Sequence, residues 1–159
     1  VTSADINIGP HFWSVEHFGE HARHAPAKGT ALAPQAVTAT VDLNTYASLP
    51  TPLTAPLTMV SGPWVALFLL SAYVDIGANN VEVALALDVS GATTVVAGAN
   101  PEDRLHVQAK SPVAATLSLA DYGVINQGDH VLELKYVASG AATVSDVALS
   151  VLPLGHVIP

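Results

Sequence analysis

Four of the seven histidines, His11, His17, His21 and His24, fall in the first part of the chain, with Glu16 and Glu20 among them. On a helix, His17 and His21 would share a face as residues i and i+4. Imidazoles at that spacing can ligate zinc or nickel. Two features argue against it. Gly19 lies between them, and no helix-long apolar stripe accompanies them. Phe18 follows His17 where a zinc protease places its glutamate, so the His-Glu-x-x-His pattern is missing. His17, His21 and His24 are thus the residues that would hold a metal if one were held. The favoured reading is an arm that contacts neighbouring subunits, with no metal and no cofactor.

Other chemistry is sparse. Asn100-Pro101-Glu102-Asp103-Arg104 is a polar loop with adjacent carboxylates, but it lacks the dense acidic spacing of a calcium loop. No serine sits in a Gly-x-Ser-x-Gly setting, and no glycine loop could cradle phosphate. A cupin-like metal site needs histidines on neighbouring core strands, and His106 and His130 are too isolated in sequence to form one. The chain is not expected to be an enzyme.

Phe12, Trp13, Val15 and Phe18 are concentrated beside the histidines. Large aromatics outside a β-core often anchor an interface. Phe12, Trp13 and Phe18 are expected to be buried against another protein.

The elements that must carry these residues follow from composition and periodicity. Half of the 159 residues are hydrophobic and only 11% are charged, against about 25% in an average domain. Dry interfaces are depleted of charge, so neighbouring protein is expected to cover part of the surface. A net charge of −8 with five basic residues leaves too little to neutralise phosphates or anionic lipid. Neither nucleic acid nor membrane is an expected partner. The longest apolar run, from Pro63 to Val74, is shorter than the roughly 20 residues of a bilayer-spanning helix. With no cysteine, disulfides and thiolate metal sites are excluded.

Residues 1–35 show no sustained alternation and read as an N-terminal attachment arm, with one short helical turn near Val15 to His24. Residues 36–159 read as a β-domain. Val37, Ala39, Val41 and Leu43 alternate weakly, and Pro50, Pro52 and Pro56 then mark a loop or an edge. Trp64 to Asp75 reads as a strand buried on both sides or nearly so. Val81, Val83, Leu85, Leu87 and Val89 form one face of the next strand. Leu105 and Val107 alternate in another, Val113 to Leu119 form a further strand, and Asp121 to Gln127 reads as irregular. His130, Leu132, Leu134 and Tyr136 share one face of a strand from Gly128, with Val131, Glu133, Lys135 and Val137 on the other. Ser139-Gly140 then turns the chain into a last strand, giving an apparent closing antiparallel pair. In all, about eight strands at turn spacings of 8–12 residues predict an all-β antiparallel sandwich or jelly roll.

Three segments carry a resemblance: Ala72-Tyr73-Val74-Asp75, Val81 to Gly91, and Gly128 to Tyr136 with Ala142-Thr143-Val144 and Leu149-Ser150-Val151. Together they resemble jelly-roll domains shaped like tumour necrosis factor and the globular heads of complement, which recur in virion proteins of tailed bacteriophages. The resemblance covers a little over half of the chain. It implies a homotrimer and does not imply catalysis. The expectation is a structural virion protein, on the surface of capsid or tail, that decorates the capsid or forms a minor tail component. Its partners would be itself and the major capsid or tail proteins. The alternative is a receptor- or glycan-binding jelly-roll module of a tail fibre or tail tip.

Overall fold

The computed structural model describes residues 6–8, 11–13, 27–31, 33–60, 62–94, 104–108 and 112–156. Among these the regular structure is entirely β, and every strand pairing is antiparallel. In chain order the strands are β1 (Ile6–Ile8), β2 (His11–Trp13), β3 (Ala27–Ala31), β4 (Gln35–Val37), β5 (Ala47–Ser48), β6 (Thr54–Met59), β7 (Trp64–Ile76), β8 (Glu82–Gly91), β9 (Arg104–Gln108), β10 (Val113–Ile125), β11 (Gly128–Ala138) and β12 (Ala142–His156).

Two five-stranded sheets form the sandwich. The first runs β10-β7-β12-β3, with β4 also on β12. The second runs β5-β11-β8-β9, with β6 also on β11. From β6 to β8 and from β9 to β12 the chain alternates between the sheets, which is the jelly-roll course. Among the described residues, β1 and β2 pair with each other and with no other strand.

The core lies where the inner faces meet. Trp64, Ala66, Leu70, Ala72, Val74 and Ile76 of β7 face Val83, Leu85, Leu87 and Val89 of β8 and Leu132, Leu134 and Tyr136 of β11, all buried. The period-two pattern of β8 and β11 is therefore read correctly from the sequence.

Four local expectations are corrected. β11 and β12 do not pair. β11 lies between β8 and the β5 and β6 strands of the second sheet, and β12 lies in the first, so Ser139-Gly140 turns a corner between sheets. Alternation marks which face is buried, and a corner strand and a hairpin strand bury the same residues. β10 does not stop at Leu119. It continues to Ile125, paired with β7 in an unbroken register. Asp121 and Gly123 look like turn residues, but Gly123 is small because a Cβ there would come within 2.8 Å of the Phe68 ring. The alternation of Val37 to Leu43 ends after β4, and Val41 stands fully exposed on a loop. Finally, β3 lies inside the 1–35 segment and is an edge strand of the first sheet. Its Ala, Gly and Thr residues give a weak hydrophobic signal. Gly29 is small because a Cβ there would press on Leu149 and Ala55. The expected helical turn at Val15 to His24 lies outside the described residues.

Candidate functional site: two unlike outer faces

Register fixes which side chains of the first sheet point away from the core. Val65, Leu67, Leu69, Ser71, Tyr73 and Asp75 alternate with the buried residues of β7. Ala114, Thr116, Ser118, Ala120, Tyr122 and Val124 of β10 lie beside them. On β12, Ser150 pairs with Leu69 and Leu152 with Leu67. Leu152, Leu67 and Tyr122 thus form one outward row across three strands, with Val65 and Val124 in the next row. Tyr122 is 65% exposed and Val124 49%. β10 and β7 place one charge on this face, Asp75, at its far end. The expected burial of β7 on both sides, or nearly so, holds in part: Val65, Leu67, Leu69 and Ser71 on its outer side are half-buried, and Tyr73 and Asp75 are exposed.

Small residues hollow the middle of the face. Ser71, Ser118, Ala120, Ala148 and Ser150, with Leu69, line a shallow depression of about 510 Å³. Neighbouring rows of large side chains project beyond it, so the face has relief that a matching protein surface can fill.

The second sheet differs. Its outward residues include Asp88 on β8, Asp129, Glu133 and Lys135 on β11, and Thr54 and Thr58 on β6. The Thr58 hydroxyl donates to Asp129 Oδ1 at 2.7 Å. Lys135 Nζ lies 3.0 Å from Glu133 Oε2 and donates to Ser48 Oγ at 3.0 Å. Partial burial raises the Glu133 carboxyl, but the Ser48 hydroxyl and the Lys135 ammonium outweigh it and hold it below the usual glutamate range. A lysine beside a serine is the geometry of a nucleophile and its base. Here Lys135 Nζ donates to Ser48 and lies against the Glu133 carboxylate. This cluster is a surface ion pair on a polar face.

A polar loop lies between β4 and β5. Asp42 Oδ1 accepts the Asn44 and Thr45 amides at 2.7 Å each, and Oδ2 accepts the Thr45 hydroxyl at 2.9 Å. The Asn44 amide and then the Thr45 hydroxyl hold the Asp42 carboxyl below the ordinary aspartate range.

Among the described residues, no group of three or more His, Asp and Glu side chains is placed to hold a metal. His17, His21 and His24 lie outside the described residues, as do Phe18 and the loop residues Asn100 to Asp103. Phe12 and Trp13 fall on β2, where the backbone pairing is described. His130 is buried. Its Nε2 lies 3.1 Å from the Thr93 hydroxyl, which also accepts the Asn126 amide, and its Nδ1 has no hydrogen-bond partner. The apolar outer face is the feature that sequence reasoning saw only in part. Its signal was present in β7, whose residues are apolar at both parities while β8 and β11 alternate.

No protein-family model matches the chain, and no curated protein sequence matches it. Solved structures do. A tumour necrosis factor, Eiger, from S. frugiperda aligns with a TM-score of 0.53 at 8% identity, over 86% of this chain and 96% of that one. The globular domain of zebrafish complement 1qA aligns with a TM-score of 0.44 at 12% identity, over 82% and 99%. A family 35 carbohydrate-binding module from Clostridium thermocellum gives 0.40 at 16% identity, over 82% and 99%. At such identities likeness speaks to fold. The sheet order, the alternating course between sheets and the match to Eiger establish a tumour-necrosis-factor-like jelly roll.

Proposed function

We propose that this chain is a non-catalytic structural protein of a tailed-phage virion, acting as a homotrimer on the surface of capsid or tail. The observation that carries the assembly reading is the row Leu152-Leu67-Tyr122, flanked by Val65 and Val124, on a face where β7 and β10 bring only Asp75 as charge. Apolar surface removed from water contributes about 25 cal/mol per Å², and closed symmetric assemblies are the usual way to bury it. The opposite face carries Asp88, Asp129, Glu133 and Lys135, with Ala84, Ala86 and Val137 buried on the same side. The virion setting rests on the sequence resemblance. It gives the N-terminal segment its role: Phe12, Trp13 and Phe18 dock on major capsid or tail proteins, and three arms together add avidity.

The test is to locate the chain in purified particles and count its copies. The reading expects three-fold clusters on the particle surface, with Trp13→Ala lowering occupancy. A chain that is absent from particles would end the virion reading.

A further inference from the structure

We propose that His130 is an acid-sensitive latch: when its imidazole takes up a proton, residues 92–94 come away from the turn between β10 and β11 while both sheets stay folded. His130 is buried on β11, opposite Gly91 of β8 and Leu57 of β6. Its Nε2 lies 3.1 Å from the Thr93 hydroxyl, and its Nδ1 has no hydrogen-bond partner. The same hydroxyl oxygen accepts the Asn126 amide at 2.7 Å. The Asn126 side-chain amide donates to the Ala92 carbonyl at 3.3 Å, and the Ala92 backbone amide donates to the Asp129 carbonyl at 3.1 Å. The chain leaving β8, the turn before β11 and the start of β11 thus meet at one imidazole.

A neutral imidazole fits this site and an imidazolium does not. With its proton on Nε2, the ring donates to Thr93 Oγ1, whose two lone pairs then serve His130 and Asn126. Nδ1 keeps a lone pair, and no N–H is left without an acceptor. A second proton would sit on Nδ1, a buried donor on a charged ring with nothing to receive it, which is the costly arrangement. No described carboxylate pairs with Nδ1. On β11, Asp129 turns to the Thr58 hydroxyl and Glu133 to Lys135. On β8, Asp88 lies opposite Glu133. β6, residues 92–94 and Asn126-Gln127 carry no charged side chain. In the facing sheet, the inward positions of β7 are uncharged. Asp121 of β10 has its Oδ1 on the Tyr122 amide. β12 brings Asp146, whose Oδ2 accepts the Ser145 hydroxyl, and His156, opposite Trp64 in the register. The protonated ring escapes the cost by leaving the site, and the bonds through Thr93 are lost with it. β11 stays held by β6 and β8, so the opening is local.

Hydrogen exchange in the full chain tests this, read by nuclear magnetic resonance as protection factors, which remove the pH dependence of the exchange chemistry itself. Imidazoles change charge between about pH 5 and 8, so about pH 7.5 and about pH 5.5 are compared. Protection of the Asn126 amide should fall at least tenfold toward acid, in step with the titration of the His130 ring resonances. The Leu134 amide, which donates to the Leu53 carbonyl, should change less than twofold. His130→Leu should abolish the pH dependence at Asn126. If that variant fails to fold, Thr93→Val removes the shared oxygen, and Asn126 protection should then be low and equal at both pH values. Asp129→Asn and His156→Gln should leave the acid fall in place. Asn126 protection that is the same at both pH values, a fall that persists in His130→Leu or Thr93→Val, or one that Asp129→Asn or His156→Gln removes would overturn the proposal. An equal fall at Leu134 would mean that acid unfolds the whole domain, and would overturn it too.

Discussion

Leu134 sits opposite Leu87 in the register between β11 and β8, and both side chains are buried. The next residue, Lys135, points the other way and pairs with Glu133. Leu134→Asp would place an unpaired carboxylate in the core, at a cost of several kcal/mol out of roughly 5–15 kcal/mol for a whole domain. It should unfold the chain. Lys135→Asp breaks only a surface pair, which is worth about 0–1 kcal/mol. Thermal melts of the two variants should differ widely, and similar melting would mean that the register is wrong.

Gly91 has a φ of +112°, and a Cβ there would sit 2.2 Å from the Asp129 carbonyl oxygen. Backbone cannot retreat as a flexible side chain can. Gly91→Ala should therefore destabilise by more than about 2 kcal/mol. Gly77, where a Cβ meets nothing within 4 Å, is the control, and Gly77→Ala should be close to neutral. Equal urea midpoints for the two would refute the close approach of Gly91 to the Asp129 carbonyl where β8 meets β11.

Truncation should show a sharp boundary. Removing residues 1–26 leaves every strand of both sandwich sheets intact. Removing residues 1–31 takes β3 from β12 and strips Gly29 from Leu149 and Ala55. The first variant should keep a cooperative melt, and the second should melt clearly lower. A first variant that fails to fold would make the arm part of the core.

The inward face of β8 and β11 was legible in the sequence because its large apolar residues recur at every second position, although Ala84, Ala86 and Val137 are buried on the other face as well. β3 was not, because Ala27, Gly29 and Ala31 carry little hydrophobic signal, and Gly29 lies where a Cβ would press on Leu149 and Ala55. The second half of β10 was masked by Asp121 and Gly123, residues that local chemistry assigns to turns. Which sheet receives β12 is a long-range property, and no neighbouring residue encodes it. The outer face was half legible. The apolar run of β7 was visible, but only pairing with β10 and β12 shows that Leu67 lies between Tyr122 and Leu152 on the solvent side.

Acid should weaken the fold partly through Glu133 and Asp42. Both carboxyls are lowered in the folded chain: Glu133 because Ser48 and Lys135 outweigh its desolvation, Asp42 by the Asn44 amide and the Thr45 hydroxyl. A lowered folded value means that the unfolded chain takes up protons first as pH falls. The contribution is complete above the ordinary carboxylate range and is lost as pH drops through the folded values. Glu133→Gln should flatten the acid limb of melting temperature against pH, with little change in its slope near neutrality. An unchanged acid limb would remove Glu133 from the account.

The most direct test of the central claim is sedimentation equilibrium of the purified chain, alone and as Leu69→Glu. Leu69 lies on the outer face beside the depression and outside the core. The wild-type chain should reach three times the monomer mass in the micromolar range, and Leu69→Glu should remain a folded monomer. A wild-type chain that stays monomeric there, or a Leu69→Glu trimer as tight as the wild type, would contradict assembly through this face.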